Sequence, residues 1–215
     1  HDELAQINEL SQLTRKALGI KIALRSNDFN SPYYQGPTLI QPFSEQEEFF
    51  YTHPHQQLLE DVSVPEKDFK ESEDASLREY ANEYTRFTQQ LNRDLKKAAD
   101  SCDEIIFDHF DVNADQRDEV LQEIALRTNE DPREASNYNA KSISVSDQDF
   151  QKLVEDLILH LAVEIVMNSE DAIVPLYNVK REDSLLSQIK ERFKRIFGDR
   201  ASERLAEVDR ALGSE

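Results

Sequence analysis

Apolar residues recur with a helical period between residues 146 and 167. Ser146 and Asp149 form the pattern of a helix N-cap with a capping box. The apolar stripe covers most of the helix surface, so the pattern predicts a central helix buried in a core. Charged residues such as Glu155 and Glu164 interrupt the stretch too often for a membrane span. The residues that carry the period are Phe150, Leu153, Val154, Leu157, Ile158, Leu161, Ile165 and Val166.

A near-heptad repeat predicts a long helix from about residue 75 to residue 110. Such a repeat provides a seam for a partner helix, which we expect to be antiparallel and in the same chain. The helix should end near Asp111, after which Asn113 or Asp115 caps a further helix. The repeat consists of Leu77, Tyr80, Tyr84, Phe87, Leu91, Leu95, Ala98 and Ile105.

Two amphipathic helices are predicted near the C-terminus. Residues 184–197 form the first, and Gly198 stops it. Residues 201–212 form the second, with Gly213 as its C-cap. The short apolar run 171–176, which contains a proline, is predicted to be an extended crossover before them. The inward-facing residues of the last helix are expected to be Leu205, Val208 and Leu212.

The N-terminal third is less regular. Residues 4–18 have helical spacing, and Gly19 is a natural stop. The alternating residues 20–24 then indicate a short strand or extended segment. Prolines and aromatic residues crowd the stretch 26–65, which predicts an irregular, ordered segment with one short helix at 44–51. The charged stretch 65–74 is predicted to be a linker or a loop, and the polar stretch 128–142 is predicted to be a loop.

These patterns predict a mainly α fold. We expect a helical bundle around the buried central helix (about 146–167), with a long helix (about 75–110) and an irregular Pro/aromatic-rich N-terminal segment. Residues 1–74 would form the N-terminal helix plus this segment, and residues 75–215 the helical domain. Four glycines and no tryptophan argue against a turn-rich all-β fold.

Charge changes the picture of what the chain can bind. The net charge of -19 repels DNA phosphates and anionic lipid at long range, and it suits a protein from a salt-loving (halophile) source. A single cysteine, Cys102, excludes an internal disulfide and is compatible with the cytoplasm. We expect a cytoplasmic protein without membrane contact. The first residue is His1 rather than methionine, so we interpret the chain as a piece of a longer protein.

Three patterns are candidates for site chemistry, each with an alternative. Asp156, His160 and Glu164 lie one turn apart on one helix face, so they form a candidate metal site or a polar stripe that meets water or a neighbouring arginine. His53 and His55 could chelate a metal, although loop histidines are common. The stretch Asn30-Ser31-Pro32-Tyr33 resembles the base-gripping N-P-P-Y/F loop of amino-methyltransferases. Because no buried strand or glycine-rich cofactor loop precedes it, we interpret it as coincidence.

Basic residues cluster in two windows of this acidic chain. The candidates for contacts with DNA phosphates are Arg15, Lys16, Lys21 and Arg25 in the first window, and Lys190, Lys194 and Arg195 in the second. The alternative for the second window is ordinary pairing with acids such as Glu191.

Three segments carry a family resemblance. They are the stretch 84–112, which includes LNRDL and EIIFDHFDV; the central helix from Asp149-Phe150; and AIVPL (172–176) followed by LLSQIKERFKRIFG (185–198) and LAEVDRALG (205–213). In that order they resemble a helical region of large N6-adenine DNA methyltransferases of the type IIG restriction–modification and BREX phage-defence kind.

The resemblance implies a non-catalytic helical part of a DNA-modifying enzyme. Such a part links the catalytic and target-recognition modules of the same protein and helps to clamp DNA. S-adenosylmethionine would be the cofactor of the parent, with none in this chain, and no catalytic residue carries over. The alternative is an acidic helical protein–protein interaction module, or a homodimer through the long helix, without a nucleic acid role. A stand-alone enzyme is a third hypothesis, against which the lack of a convergent nucleophile, base and acid argues.

Overall fold

Six α-helices make up most of the described part of the chain in the computed structural model. The described residues are 2–28, 30–34, 36–40, 62, 65, 75–128, 144–169, 173–177 and 183–213, and they contain no β-strand. The predicted mainly α, helical-bundle fold is confirmed. The helices are α1 (Asp2–Arg25), α2 (Leu77–His109), α3 (Ala114–Thr128), α4 (Asp147–Met167), α5 (Leu185–Phe197) and α6 (Ala201–Ala211), with a 3-10 turn at Gly198–Arg200.

Several predicted features lie outside the described residues. They are the short helix at 44–51, nearly all of the linker 65–74, the loop 129–142 and the pair His53 and His55. None of the helices in the described ranges is long and apolar enough to cross a bilayer.

The chain divides into two compact units. Helix α2 contributes to both, because its residues up to Arg86 belong to the second unit and those from Phe87 onward to the first. The first unit also holds α1 and α3, and the second holds α4, α5 and α6.

Helix α1 of the first unit runs through the predicted stop at Gly19, so the predicted strand at 20–24 is wrong. A glycine inside a helix costs only about 0.5–1 kcal/mol relative to alanine. Burial offsets this cost, since Ile20 and Ala23 form a small core with Leu91 of α2. The alternation of apolar residues at 20–24 was therefore compatible with a helix whose end is buried.

The turn between α2 and α3 follows the predicted chemistry. Asp111 has a φ of 48°, the left-handed conformation that ends many helices. Asn113 then caps α3, because its side-chain oxygen accepts a hydrogen bond from the backbone N–H of Gln116 at 3.0 Å. The Gln116 side chain in turn accepts from the Asn113 N–H at 3.1 Å, which completes a capping box.

The core of the second unit forms around one face of α4. Its fully buried residues come from all the helices of this unit and from the turn at residues 37–40. Helices α5 and α6 pack on α4 and on each other. The predicted buried central helix is confirmed, since seven residues of α4 are buried, although Leu159 and Met167 on its outer side are 49% and 70% exposed. The largest fully buried side chains in this core are Leu39, Leu77, Val154, Leu157, Leu161 and Phe193.

The ends of these helices are those the sequence predicts. The Ser146 side chain accepts a hydrogen bond from the backbone N–H of Asp149, and Ser184 caps α5 in the same way through Ser187. Gly198 ends α5 with a φ of 53°. The predicted inward position of Leu212 is wrong: it follows the last helical turn, where it is 36% exposed.

An ion pair on α6, between Arg204 and Glu207, makes hydrogen bonds to the start of α2. Arg204 is 4% exposed, and it donates hydrogen bonds to the carbonyl of Ala75 and to the carboxylate of Glu207. The same carboxylate accepts from the backbone N–H of Leu77 at 2.8 Å. An N–H in the first turn of a helix has no partner within the helix. Glu207 therefore caps α2, although it lies 130 residues further along the chain.

Candidate functional site

A polar cluster lies inside the second unit at the position of the predicted Asp156–His160–Glu164 stripe. His160 is 2% exposed, and its Nδ1 lies 2.9 Å from the hydroxyl of Tyr34. Its Nε2 lies 4.0 Å from Glu164 Oε2. Arg192 of α5 places Nη1 3.6 Å from Glu164 Oε1. The alternative of a polar stripe that meets a neighbouring arginine therefore fits the geometry.

The environment of His160 favours its neutral form. Burial lowers the pKa of the imidazole from 6.5 to about 4, since a charged ring loses more hydration free energy than a neutral one. The Glu164 carboxylate on the Nε2 side favours the tautomer that carries its proton there, so that Nδ1 accepts from the Tyr34 hydroxyl. His160 and Glu164 are buried, whereas Tyr34 and Arg192 are partly exposed. The cluster is placed to hold the turn at residues 30–34 against α4.

The metal hypothesis for this stripe gains no support from the geometry. Asp156 is partly buried, and burial raises the pKa of its carboxyl. Among the described residues there is no group of three or more His, Cys, Asp or Glu side chains arranged to hold a metal ion.

Residues 30–33 form a turn held by short-range hydrogen bonds. The Asp28 side chain accepts from the Asn30 N–H at 3.0 Å, and the Ser31 hydroxyl accepts from the Tyr33 N–H at 3.1 Å. The element before the turn is helix α1 rather than the buried strand that precedes a base-gripping loop. The interpretation of Asn30-Ser31-Pro32-Tyr33 as coincidence fits this local structure.

The predicted phosphate contacts are all on helix surfaces. Arg15, Lys16, Lys21 and Arg25 are exposed on α1 of the first unit. Lys190 and Lys194, one turn apart, are exposed on α5 of the second unit. Arg195 next to them lies 3.9 Å from Glu191, as the pairing alternative expects. Cations in the last turn of α5 also interact favourably with the helix dipole, so Lys194 and Arg195 have a structural role as well.

One accessible concavity among the described residues of the first unit lies between the turn that follows α2 and one face of α3. We call it the α2–α3 groove, and its volume is about 700 Å³. Phe110 is 72% exposed at one end, while Val120 and Ile124 are 42% and 40% exposed along α3. These exposed apolar side chains are bordered by polar residues, an arrangement that also occurs at interaction sites. The groove is lined by Phe110, Val112, Gln116, Glu119, Val120, Glu123, Ile124 and Arg127.

The stretch that forms the groove is strongly acidic. Residues 103–127 contain eight carboxylates and two arginines. Both arginines are engaged within the stretch, Arg127 with Glu123 at 2.7 Å and Arg117 with Asp108. The apolar surface is therefore bordered by a field of negative charge.

Sequence reasoning identified α3 but not its exposed face. A signal was present, because the apolar residues Val120, Leu121 and Leu126 point in three different directions around a helix of 15 residues. One neighbouring helix cannot cover all of these directions. The contact of Tyr34 with His160 had no sequence signal, since 126 residues separate the two.

Comparison with known protein families, with curated proteins and with solved structures gives no match for this chain.

Proposed function

We propose that this chain is a non-catalytic helical module that binds a neighbouring protein module through the α2–α3 groove. The exposed apolar lining of the groove carries the proposal. Burying a side chain the size of Phe110 or Val120 at an interface is favourable by about 1.5–3 kcal/mol. Leaving both in water has no benefit for the stability of the isolated chain, whereas a partner that covers them would gain this free energy.

The setting that we propose is a DNA-modifying enzyme of the restriction–modification or phage-defence kind, active in the cytoplasm. Its support is the resemblance to the helical region of N6-adenine DNA methyltransferases. The resembling phrases follow the chain order of the fold, on α2, then α4, then residues 173–176 with α5 and α6, and helix α3 lies between the first two without a resembling phrase. In this setting the chain positions the catalytic and target-recognition modules, and S-adenosylmethionine is bound by the catalytic module.

Immunoprecipitation from cells of the source organism tests this setting. Antibodies raised against the chain should recover a polypeptide that transfers labelled methyl groups from S-adenosylmethionine to N6 of adenine in duplex DNA. Peptide mass spectrometry of the same band should read an N-P-P-Y/F motif. A band without the motif and without methyl transfer would remove the methyltransferase setting and leave a protein-binding module of another assembly.

A second candidate function, direct contact with DNA phosphates, is favoured by the exposed cations of α5. Lys190 and Lys194 lie one turn apart on the solvent side of this helix. Phosphate contacts of this kind make binding fall with salt, by about 0.9 in log K per log salt for each contact.

Fluorescence anisotropy with a labelled duplex tests the contact. The double variant Lys190→Glu, Lys194→Glu should bind more weakly than the wild type, with a salt slope smaller by about 2 if each lysine meets one phosphate. The matched control Lys97→Glu, Lys152→Glu changes the net charge equally at exposed positions on other helices. If both variants lose the same amount of DNA affinity, the loss comes from the change in net charge, and a local contact by Lys190 and Lys194 is refuted.

A further inference from the structure

We infer that the occupant of the α2–α3 groove is a basic amphipathic helix of a partner protein. The inference rests on the proposed function, and it names the chemistry of the partner. Its basis is the combination of an apolar floor, the length of that floor and the charge around it.

The floor has the length and spacing that a helix requires. The lining of α3 runs from Gln116 to Arg127, a distance of about 16 Å at 1.5 Å per residue, or three helical turns. Along it, Val120 and Ile124 lie one turn apart. A helix laid in such a groove presents apolar anchors at i, i+3 or i+4, and i+7. Phe110 closes one end of the floor, where it can cover the first anchor.

Charge decides which helix fits. Glu119 and Glu123 line the groove, and Asp111, Asp115 and Asp118 are exposed in the same stretch. Because both arginines nearby already lie against carboxylates, the uncompensated charge around the floor is negative. A partner with Lys and Arg beside its apolar anchors can form ion pairs with these carboxylates. An acidic partner would be repelled by them.

The same argument disfavours a second copy of this chain. A symmetric dimer places a surface patch against its own copy. Here that contact would set the acidic border of one groove on that of the other, between two chains that each carry a net charge of -19. Repulsion between the two acidic borders would weaken such a dimer.

Three designed peptides test the inference on the full chain. The first is a labelled amphipathic helix with leucines on one face and lysines on the other. The second replaces the lysines with glutamates, and the third has the composition of the first with the leucines dispersed. Anisotropy should show the first peptide binding at least tenfold more tightly than either of the others. Equal binding of the dispersed peptide would mean general attraction to an acidic protein, and equal binding of the glutamate peptide would mean an apolar site without charge selection. Either result overturns the inference.

Variants locate the site. Phe110→Ser with Val120→Ser should weaken the lysine peptide at least tenfold. The matched control Ile173→Ser with Leu176→Ser removes two apolar side chains that are 75% and 72% exposed in the second unit, and it should bind like the wild type. Glu119→Gln should weaken the peptide by up to about fivefold, the range of an exposed charge pair. Equal losses in both double variants overturn the location.

Sedimentation of the unliganded chain tests the other occupant. A wild-type dimer that dissociates in the Phe110→Ser, Val120→Ser variant would show that a second copy fills the groove, and it would overturn the inference. These results are separate from the methyl-transfer experiment. If the peptide fails to bind while the parent enzyme methylates DNA, the basic partner is refuted and the methyltransferase setting stands. If the peptide binds but no methyl transfer is found, the basic partner stands and the methyltransferase setting is refuted.

Discussion

Replacement of His160 by glutamine is expected to remove part of the loss of stability that the chain suffers on acidification. In the folded protein the ring is buried, and burial lowers its pKa from 6.5 to about 4. The unfolded chain therefore takes up a proton at this residue below pH 6.5, whereas the folded chain does so only below about pH 4. Between these values the unfolded state holds more protons, so stability falls as the pH falls.

The size of the effect follows from the difference between the two pKa values. A change from 6.5 to about 4 corresponds to about 3 kcal/mol at ~1.4 kcal/mol per tenfold change in the protonation equilibrium. The contribution is complete above pH 6.5 and is lost by about pH 4. About 2 kcal/mol of it should disappear between pH 7 and pH 4.5. The Glu164 carboxylate, 4.0 Å from Nε2, attracts the protonated ring and makes this figure an upper bound.

Urea denaturation at several pH values measures this contribution. Other carboxylates titrate in the same interval, and their protonation also relieves the repulsion of a net charge of -19. Only the difference between variants therefore isolates His160. The free energy of unfolding of the wild type should fall by about 2 kcal/mol more than that of His160→Gln. The control His109→Gln removes an exposed histidine and should keep the wild-type dependence. Parallel curves for the wild type and His160→Gln would refute the reasoning.

Three further predictions concern the connections between the helices, each measured as a free energy of unfolding. Arg204→Ala should cost about 3–5 kcal/mol, because it leaves Glu207, whose side chain is only 13% exposed, without its cation. The more exposed Arg200→Ala should cost less than about 1 kcal/mol, and equal costs would contradict this. Gly198→Ala should cost about 1–3 kcal/mol, since a φ of 53° with a ψ of -128° suits only glycine. Ser146→Ala should cost about 1 kcal/mol by removing the cap of α4, and an unchanged stability would contradict its role.

Local chemistry made the helix boundaries predictable. Ser146, Ser184 and Asn113 cap helices where their side chains accept backbone N–H groups within three residues, and this information is entirely local. The predicted helix stop at Gly19 is wrong because a glycine inside a helix lowers stability only slightly. The burial of Ile20 against α2, which outweighs that cost, depends on residues about 70 positions away.

The candidate site was less predictable for the same reason. Periodicity shows which residues are apolar, but exposure depends on how many neighbouring helices are available to cover them. On α4 the stripe is wider than the surface that α2, α5 and α6 cover, so Leu159 is left half exposed. On α3 the apolar residues left without a covering helix include Val120 and Leu126. The polar cluster likewise depends on a turn at Tyr34 that meets His160 only in the folded chain.

The acidic composition bears differently on the two proposed binding modes. At about 1 M salt the Debye length falls to ~3 Å, so phosphate contacts by Lys190 and Lys194 lose most of their strength. Docking in the α2–α3 groove combines charge with apolar burial at Phe110 and Val120, and the apolar part does not weaken as salt is added. Binding in the groove should therefore persist at salt concentrations at which binding through the lysines is lost. A single salt titration can separate the two modes, since DNA binding should keep falling while peptide binding reaches a plateau.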